Sequence, residues 1–187
     1  MAVRVGFGSP RNLPLVSSAM DRCDTESDTL VDLLMRRAAL SGDQRAFTFL
    51  VDGDTQALHV TYRELDQQAR SIAATLRSFG AAGQRAVLLY PPGLDYIAAF
   101  FGCLYAGVVA VPAYPPQRKR MLPRLQAILT DCEPAVALSS APVRTALERL
   151  CGDDEALRHL KSLQWLDSDA VSAGMESDWQ RPAITEP

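Results

Sequence analysis

The chain has 187 residues, 48% of them hydrophobic and 22% charged, and a net charge of −3. That length buries roughly 70% of the unfolded surface, in one domain or slightly more, and ordinary globular usage excludes a disordered chain. The near-neutral balance supplies no global attraction for nucleic acid or for an anionic membrane.

Residues 1–27 mix small, polar and Gly/Pro residues without period and read as an N-terminal extension. Pro10 and Arg11 interrupt MAVRVGFGSPRNLPLVSSAM where a secretory core would need a continuous apolar run, so a cytoplasmic location is expected. Thr29 or Asp28 caps a helix in TLVDLLMRRAAL, with Leu30, Leu33, Leu34 and Ala38 on one face and Gly42 at its end. AFTFLVD (46–52) and ALHVTY (57–62) flank the turn signal Gly53-Asp54 and predict two short strands, as in a hairpin. Thr61-Tyr62-Arg63-Glu64 fits a capping box. The helix it opens buries Leu65, Ala69, Ile72, Ala73, Leu76 and Phe79, and Gly80 closes it.

Gln84 to Tyr90 lacks polar alternation after Arg85, which predicts a parallel strand buried on both faces. Pro91-Pro92-Gly93 stops that strand and leads into a helix with Asp95 in its first turn. One side of this helix is bulky (Ile97, Phe100, Phe101, Leu104, Tyr105), the other small (Ala98, Ala99, Gly102, Cys103, Ala106), as expected between closely approaching neighbours. Gly107 ends it, and VVAVPA (108–113) reads as a second buried strand. The uncharged run from Ile97 to Ala113 is only 17 residues and is broken by Gly107 and Pro112, so a crossover and not a membrane span is expected. Leu122, Leu125, Ile128, Leu129 and Cys132 mark another helix, AVALSS (135–140) a strand, Val143 to Leu150 a helix and SLQWLD (162–167) a strand. These β-α units predict an α/β fold with a mostly parallel, doubly wound sheet flanked by helices. The polar, proline-marked stretch after Ser168 reads as a linker. The predicted division is extension 1–27, α/β subdomain 28–175 and linker 176–187.

Signals for chemistry are sparse. There is no GxxxxGK[ST], and the only GxG, Gly6-Phe7-Gly8, lies in the extension with no strand before it. Tyr90-Pro91-Pro92-Gly93 joins strand to helix where such sheets bind ligands, yet its prolines lack the N–H groups that cradle phosphate. No GxSxG surrounds a serine, and His59 and His159 are expected to be structural or solvated. Ser139-Ser140 sits at a strand end, where capping of the following helix is the expected role. Cys23, Cys103, Cys132 and Cys151 lack metal-site spacing. Their even number allows two disulfides, but apolar helical settings favour reduced thiols. Arg118, Lys119, Arg120 and Arg124 cluster within seven residues, either as a solvated helix start or as a contact surface for phosphate or an acidic partner.

The block LLYPPGLDYIAAFFGCLYAGVVAVPAYPP and the following RLQAILTDCEPAVALSS resemble the N-terminal part of fatty acyl-AMP ligases, in the adenylate-forming superfamily. TLVDLLMRRAALSGDQRAFTFLVDGD and VTYRELDQQARSIAATLRSFG support the resemblance over about 28–187, and WQRPAITEP resembles the approach to the family's first ATP-binding loop. The resemblance implies the first subdomain of the family's N-terminal domain. The implied activity is ATP- and Mg²⁺-dependent conversion of a fatty acid to its acyl adenylate, for transfer to an acyl carrier protein or polyketide synthase in lipid biosynthesis. The family's phosphate loop, nucleotide contacts, Mg²⁺ ligand and mobile-domain lysine map to no position here. No catalytic, cofactor or metal residue is therefore expected in this chain, which should be inactive alone and prone to self-association. A docking module for a carrier protein or the missing half, a fatty acyl-CoA synthetase fragment, and an independent small-molecule-binding protein are the alternatives.

Overall fold

A computed structural model describes residues 29–182 except 52, 54, 153–157 and 173. The extension over 1–27 with Cys23, residues 183–187 and the side chain of His159 lie outside the described residues.

The first unit is local. Helix α1 (Leu30–Ser41) is capped by Thr29, whose Oγ1 accepts from the Asp32 N–H at 3.1 Å. Its buried residues are Val31, Leu34 and Ala38, while Leu30 is exposed. Leu34 and Ala38 are thus buried as expected and Val31 joins them, while Leu30 stays open at the mouth of a small pocket shared with Leu65 and Phe101. Gly42 has an ordinary right-handed φ of −53°; its constraint is space, since a Cβ there would lie 2.6 Å from the Ala38 carbonyl oxygen. Strands β1 (Arg45–Leu50) and β2 (Ala57–Thr61) pair antiparallel as the expected hairpin. Helix α2 (Tyr62–Ser78) opens on the predicted capping box: Glu64 N–H donates to Thr61 Oγ1, and Thr61 N–H donates to Glu64 Oε2 at 2.8 Å. The Thr61 N–H first, and the Thr61 hydroxyl donating to the same oxygen at 2.9 Å second, hold the Glu64 carboxyl below its ordinary value.

The second unit is a four-stranded parallel sheet, in the order β4-β3-β5-β6, of β3 (Arg85–Leu89), β4 (Val109–Ala113), β5 (Val136–Ser139) and β6 (Gln164–Asp167). On β3 and β5, alternate residues feed two cores. Ala86, Leu88, Val136 and Leu138 face α2 and α3 (Leu94–Ala106), whereas Val87, Leu89 and Ala137 face α4 (Leu122–Cys132) and α5 (Ala141–Cys151). A short α6 (Arg158–Ser162) adds Leu160 to the second core. Burial on both faces is why these strands carry no polar alternation.

β4 departs from expectation. It is an edge strand, with Val109 54% exposed and Pro112 on the surface, because the chain crosses back from it to place β5 on the far side of β3. An edge position also tolerates Pro112, which cannot donate to a ladder. The membrane question closes at the same place. Gly107 caps α3 in the left-handed region at φ 68°, the chain turns into β4, and no described helix is long and apolar enough to cross a membrane.

α3 packs by its small face. Ala98, Ala99, Gly102, Cys103 and Ala106 are buried, and a Cβ on Gly102 would come within 2.7 Å of Ile72 Cβ on α2. Ile97, Phe100, Phe101 and Leu104 are half-buried, while Tyr105 is fully buried with its Oη donating to Asp66 Oδ1 at 2.7 Å. Burial pushes the Cys103 thiol up to about 12, and Cys103, Cys132 and Cys151 form no disulfide with a described residue.

After β6 the chain folds back along α2. Trp179 Nε1 donates to the Tyr105 carbonyl at 2.8 Å, its ring lies 5.0 Å from the Tyr105 ring, and the Arg70 guanidinium stands 4.4 Å above it. Arg77 reaches the Gln180 carbonyl, Arg181 pairs with Asp32 at 2.7 Å, and Pro182 packs over Gly107.

Candidate functional site

In an open parallel sheet, ligands bind where two adjacent strands send their connections in opposite directions. Here β3 connects outward through α3 to β4, and β5 connects the other way through α5 to β6. The crevice therefore lies beyond Leu89-Tyr90-Pro91 and Ser139-Ser140, the two strand ends singled out in the sequence.

That crevice is filled by the protein itself. Ser139 is fully buried, and its Oγ donates to the Leu89 carbonyl at 2.8 Å, joining the two strand ends. Tyr90 Oη donates to Ser168 Oγ at 2.9 Å, and Ser168 Oγ donates onward to the Ser139 carbonyl. Burial raises the Tyr90 phenol well above its ordinary value, so it remains a protonated donor. Ser140 occupies the N-cap position of α5 but makes no side-chain capping bond. Asp169 does so in its place, Oδ1 accepting from the Ala141 N–H at 2.8 Å. The positive end of α5, where an anion would otherwise bind, is thus answered by a carboxylate 28 residues along the chain. Ser168 and Asp169 fell in a stretch read as a linker; only their place just past a parallel strand hinted at this role.

The remaining candidates are dispersed. His59 is exposed on β2, away from any described serine of the crevice. Beside the crevice, a cleft of about 400 Å³ is lined by Glu64, Gln67, Ser71, Asp95, Asp169 and Glu176. Three of its four carboxylates are engaged: Glu64 in the capping box, Asp169 on α5, and Glu176 with the Gly174 N–H at 2.7 Å and Ser71 Oγ at 3.3 Å, while Asp95 stands in the first turn of α3. The backbone N–H of Glu176 first, and that of Gly174 second, hold the Glu176 carboxyl below its ordinary value. Among the described residues no three His, Cys, Asp or Glu converge as a metal site, so these residues do not fit Mg²⁺. Arg118, Lys119, Arg120 and Arg124 are all exposed. The first three lie on the turn leading into α4, and Arg124 is in its first helical turn. A second groove, lined by the prolines after β3 and β4, opens beside them.

Residues 34–186 match the family profile described as AMP-binding enzyme. The chain belongs to that family. It is 41% identical over 162 residues to the medium-chain-fatty-acid–[acyl-carrier-protein] ligase JamA of Moorena producens, covering 85% of this chain and 27% of that protein. It is 29% identical over 164 residues to the long-chain-fatty-acid–AMP ligase FadD32 of Mycobacterium marinum, covering 86% and 26%. Among solved structures, the L. pneumophila fatty acyl-adenylate ligase with acyl adenylate and pyrophosphate superposes with a TM-score of 0.71 at 34% identity, over 83% of this chain and 26% of that one. The chain thus spans about a quarter of the length of these relatives, and the α/β expectation from its sequence holds.

Proposed function

We propose that this chain is the first α/β subdomain of a fatty acyl-AMP ligase, a cytoplasmic enzyme that activates a fatty acid with ATP and passes the acyl group to a carrier protein or polyketide synthase. In the reaction a fatty-acid carboxylate oxygen bonds to the α-phosphorus of ATP as the bond to pyrophosphate breaks. A carrier thiol then attacks the acyl carbonyl and AMP leaves. Bound Mg²⁺ would neutralise phosphate charge in the first step; residues outside this chain would hold it.

The self-closed switch point carries this reading. The strand ends at the sheet's usual ligand crevice are tied to one another by Ser139, Ser168, Tyr90 and Asp169, which fits a scaffold role for this subdomain. Residues 176–180 lie against α2 and α3, which fits a lead toward a nucleotide-binding part. The similarity to JamA and FadD32 supports fatty-acid and carrier chemistry.

Fatty-acid-dependent ATP–pyrophosphate exchange tests the proposal. The purified 187-residue chain should show none, and the chain joined to the rest of the length its relatives possess should acquire it. Acyl transfer to carrier thiols and not to CoA separates the ligase reading from the CoA-synthetase alternative. Exchange by the isolated chain, or none by the extended one, overturns the reading.

A further inference from the structure

Beside the switch point, on the sheet face covered by α4 and α5, a groove of about 610 Å³ runs between α5 and the segment 114–117. Pro91, Pro115 and Pro116 form one wall, and Val143, Ala146 and Leu150 of α5 form the other. The prolines have no N–H, so this wall offers an anion no backbone donor and presents only apolar surface. The α5 wall repeats at i, i+3 and i+7, the spacing of one helical face; Ala146 is exposed and Val143 and Leu150 are half-buried.

Charge is confined to the rim. Arg149 is the one ionic residue of the lining. Gln117, whose Nε2 donates to Tyr114 Oη at 3.1 Å, leads directly into Arg118, Lys119 and Arg120. These four cations and Arg124 are exposed, and none forms an ion pair with a described residue. Arg149 in the lining and Arg118, directly after the lining residue Gln117, thus set unmatched positive charge at the groove, and Lys119, Arg120 and Arg124 follow along the chain. Elsewhere Arg63, Arg70, Arg144 and Arg181 are each matched by a carboxylate, Arg77, Arg85 and Lys161 reach backbone carbonyls, and Arg45 is the other exposed cation without an ion pair to a described residue.

We propose that this groove docks an acidic amphipathic helix of the carrier-protein partner, with apolar side chains between α5 and the prolines and acidic ones against Arg118, Lys119, Arg120, Arg124 and Arg149. The proposal deepens the fatty acyl-AMP ligase reading and rests on it. A free acyl chain would match the apolar walls but leave the rim unanswered. A flat anionic membrane would meet the rim but could not reach the recessed apolar wall. An amphipathic helix satisfies both, and rim charges of this kind steer association and make it salt-dependent.

The test titrates the 187-residue chain into a fluorescently labelled apo acyl carrier protein, which lacks its phosphopantetheine arm, and reads anisotropy at low and at physiological salt. Saturable binding that weakens with salt is expected. The double variant Arg118→Glu/Arg120→Glu should weaken it by about tenfold or more, while Arg118→Lys/Arg120→Lys retains it. Ala146→Glu should weaken it through the groove itself. All three positions are on the surface, and unchanged thermal unfolding midpoints confirm intact folds. Acid-to-lysine changes on the carrier's helix should restore affinity for the doubly reversed chain. Absence of wild-type binding, unchanged affinity of the reversed variant, or binding to phosphatidylglycerol vesicles in place of the carrier overturns the proposal. If the extended enzyme makes acyl adenylate while carrier binding fails, docking alone falls. If the carrier binds while the extended enzyme makes no adenylate, the activity reading falls and the surface stands.

Discussion

Asp169 shows how much one side chain decides here. Its carboxylate caps α5 from across the crevice, next to the bonds from Tyr90 to Ser168 and from Ser139 to Leu89. A cap of this kind contributes about 1 kcal/mol, so Asp169→Ala should lower unfolding free energy by about that amount, whereas Asp169→Asn, which keeps an acceptor oxygen, should recover most of it. Urea unfolding checks both, and equal losses in the two variants would show that the cap is not what Asp169 contributes. In the sequence, Ser140 stood in the ordinary N-cap position and Asp169 stood in a polar run; the exchange of roles depends on β6 lying beside β5. By contrast, the Thr61–Glu64 capping box was legible in full, because both partners lie within one turn.

At the level of elements, α3 is the hinge between pattern and packing. Its apolar composition was plain in the sequence, but which face turns inward was settled by α2, whose Ile72 leaves no room for a side chain at residue 102. Gly102→Val should force the two helices apart and cost about 1–3 kcal/mol, read as a lower urea midpoint with an unchanged slope; a neutral outcome would mean that the α2–α3 contact yields freely. Of the bulky side, Tyr105 is fully buried, and Ile97, Phe100, Phe101 and Leu104 are left half-buried against the core. β4 follows the same logic. Its β-branched run identified a strand, but its place at the sheet edge came from the crossover that set β5 against β3.

Over the whole molecule, apolar surface collects where no described element covers it. Phe47 and Leu58 of the hairpin are 40% and 53% exposed, and Val109 lies open on the edge strand. Exposed apolar patches and free strand edges promote association. The isolated chain is therefore expected to form dimers or larger species at high concentration, and Val109→Lys should shift sedimentation toward monomer. A single monomeric boundary at all concentrations would count against this. Reversal of the rim around the α5 groove should leave that self-association unchanged, since the two surfaces are separate.

The sequence by itself determined the strands and helices, the parallel class of the sheet and the resemblance to adenylate-forming enzymes, because those are written in periodicity and in contiguous blocks such as Tyr90–Pro116. The family match and the observed sheet agree with that reading. The tertiary structure alone decided that α5 is capped by Asp169, that Trp179 is clasped between Tyr105 and Arg70, and that Arg149 lines one groove with Gln117, the residue before Arg118. Each of those is a meeting of residues about thirty or more positions apart, and such meetings follow from strand order and helix packing, which local pattern does not encode.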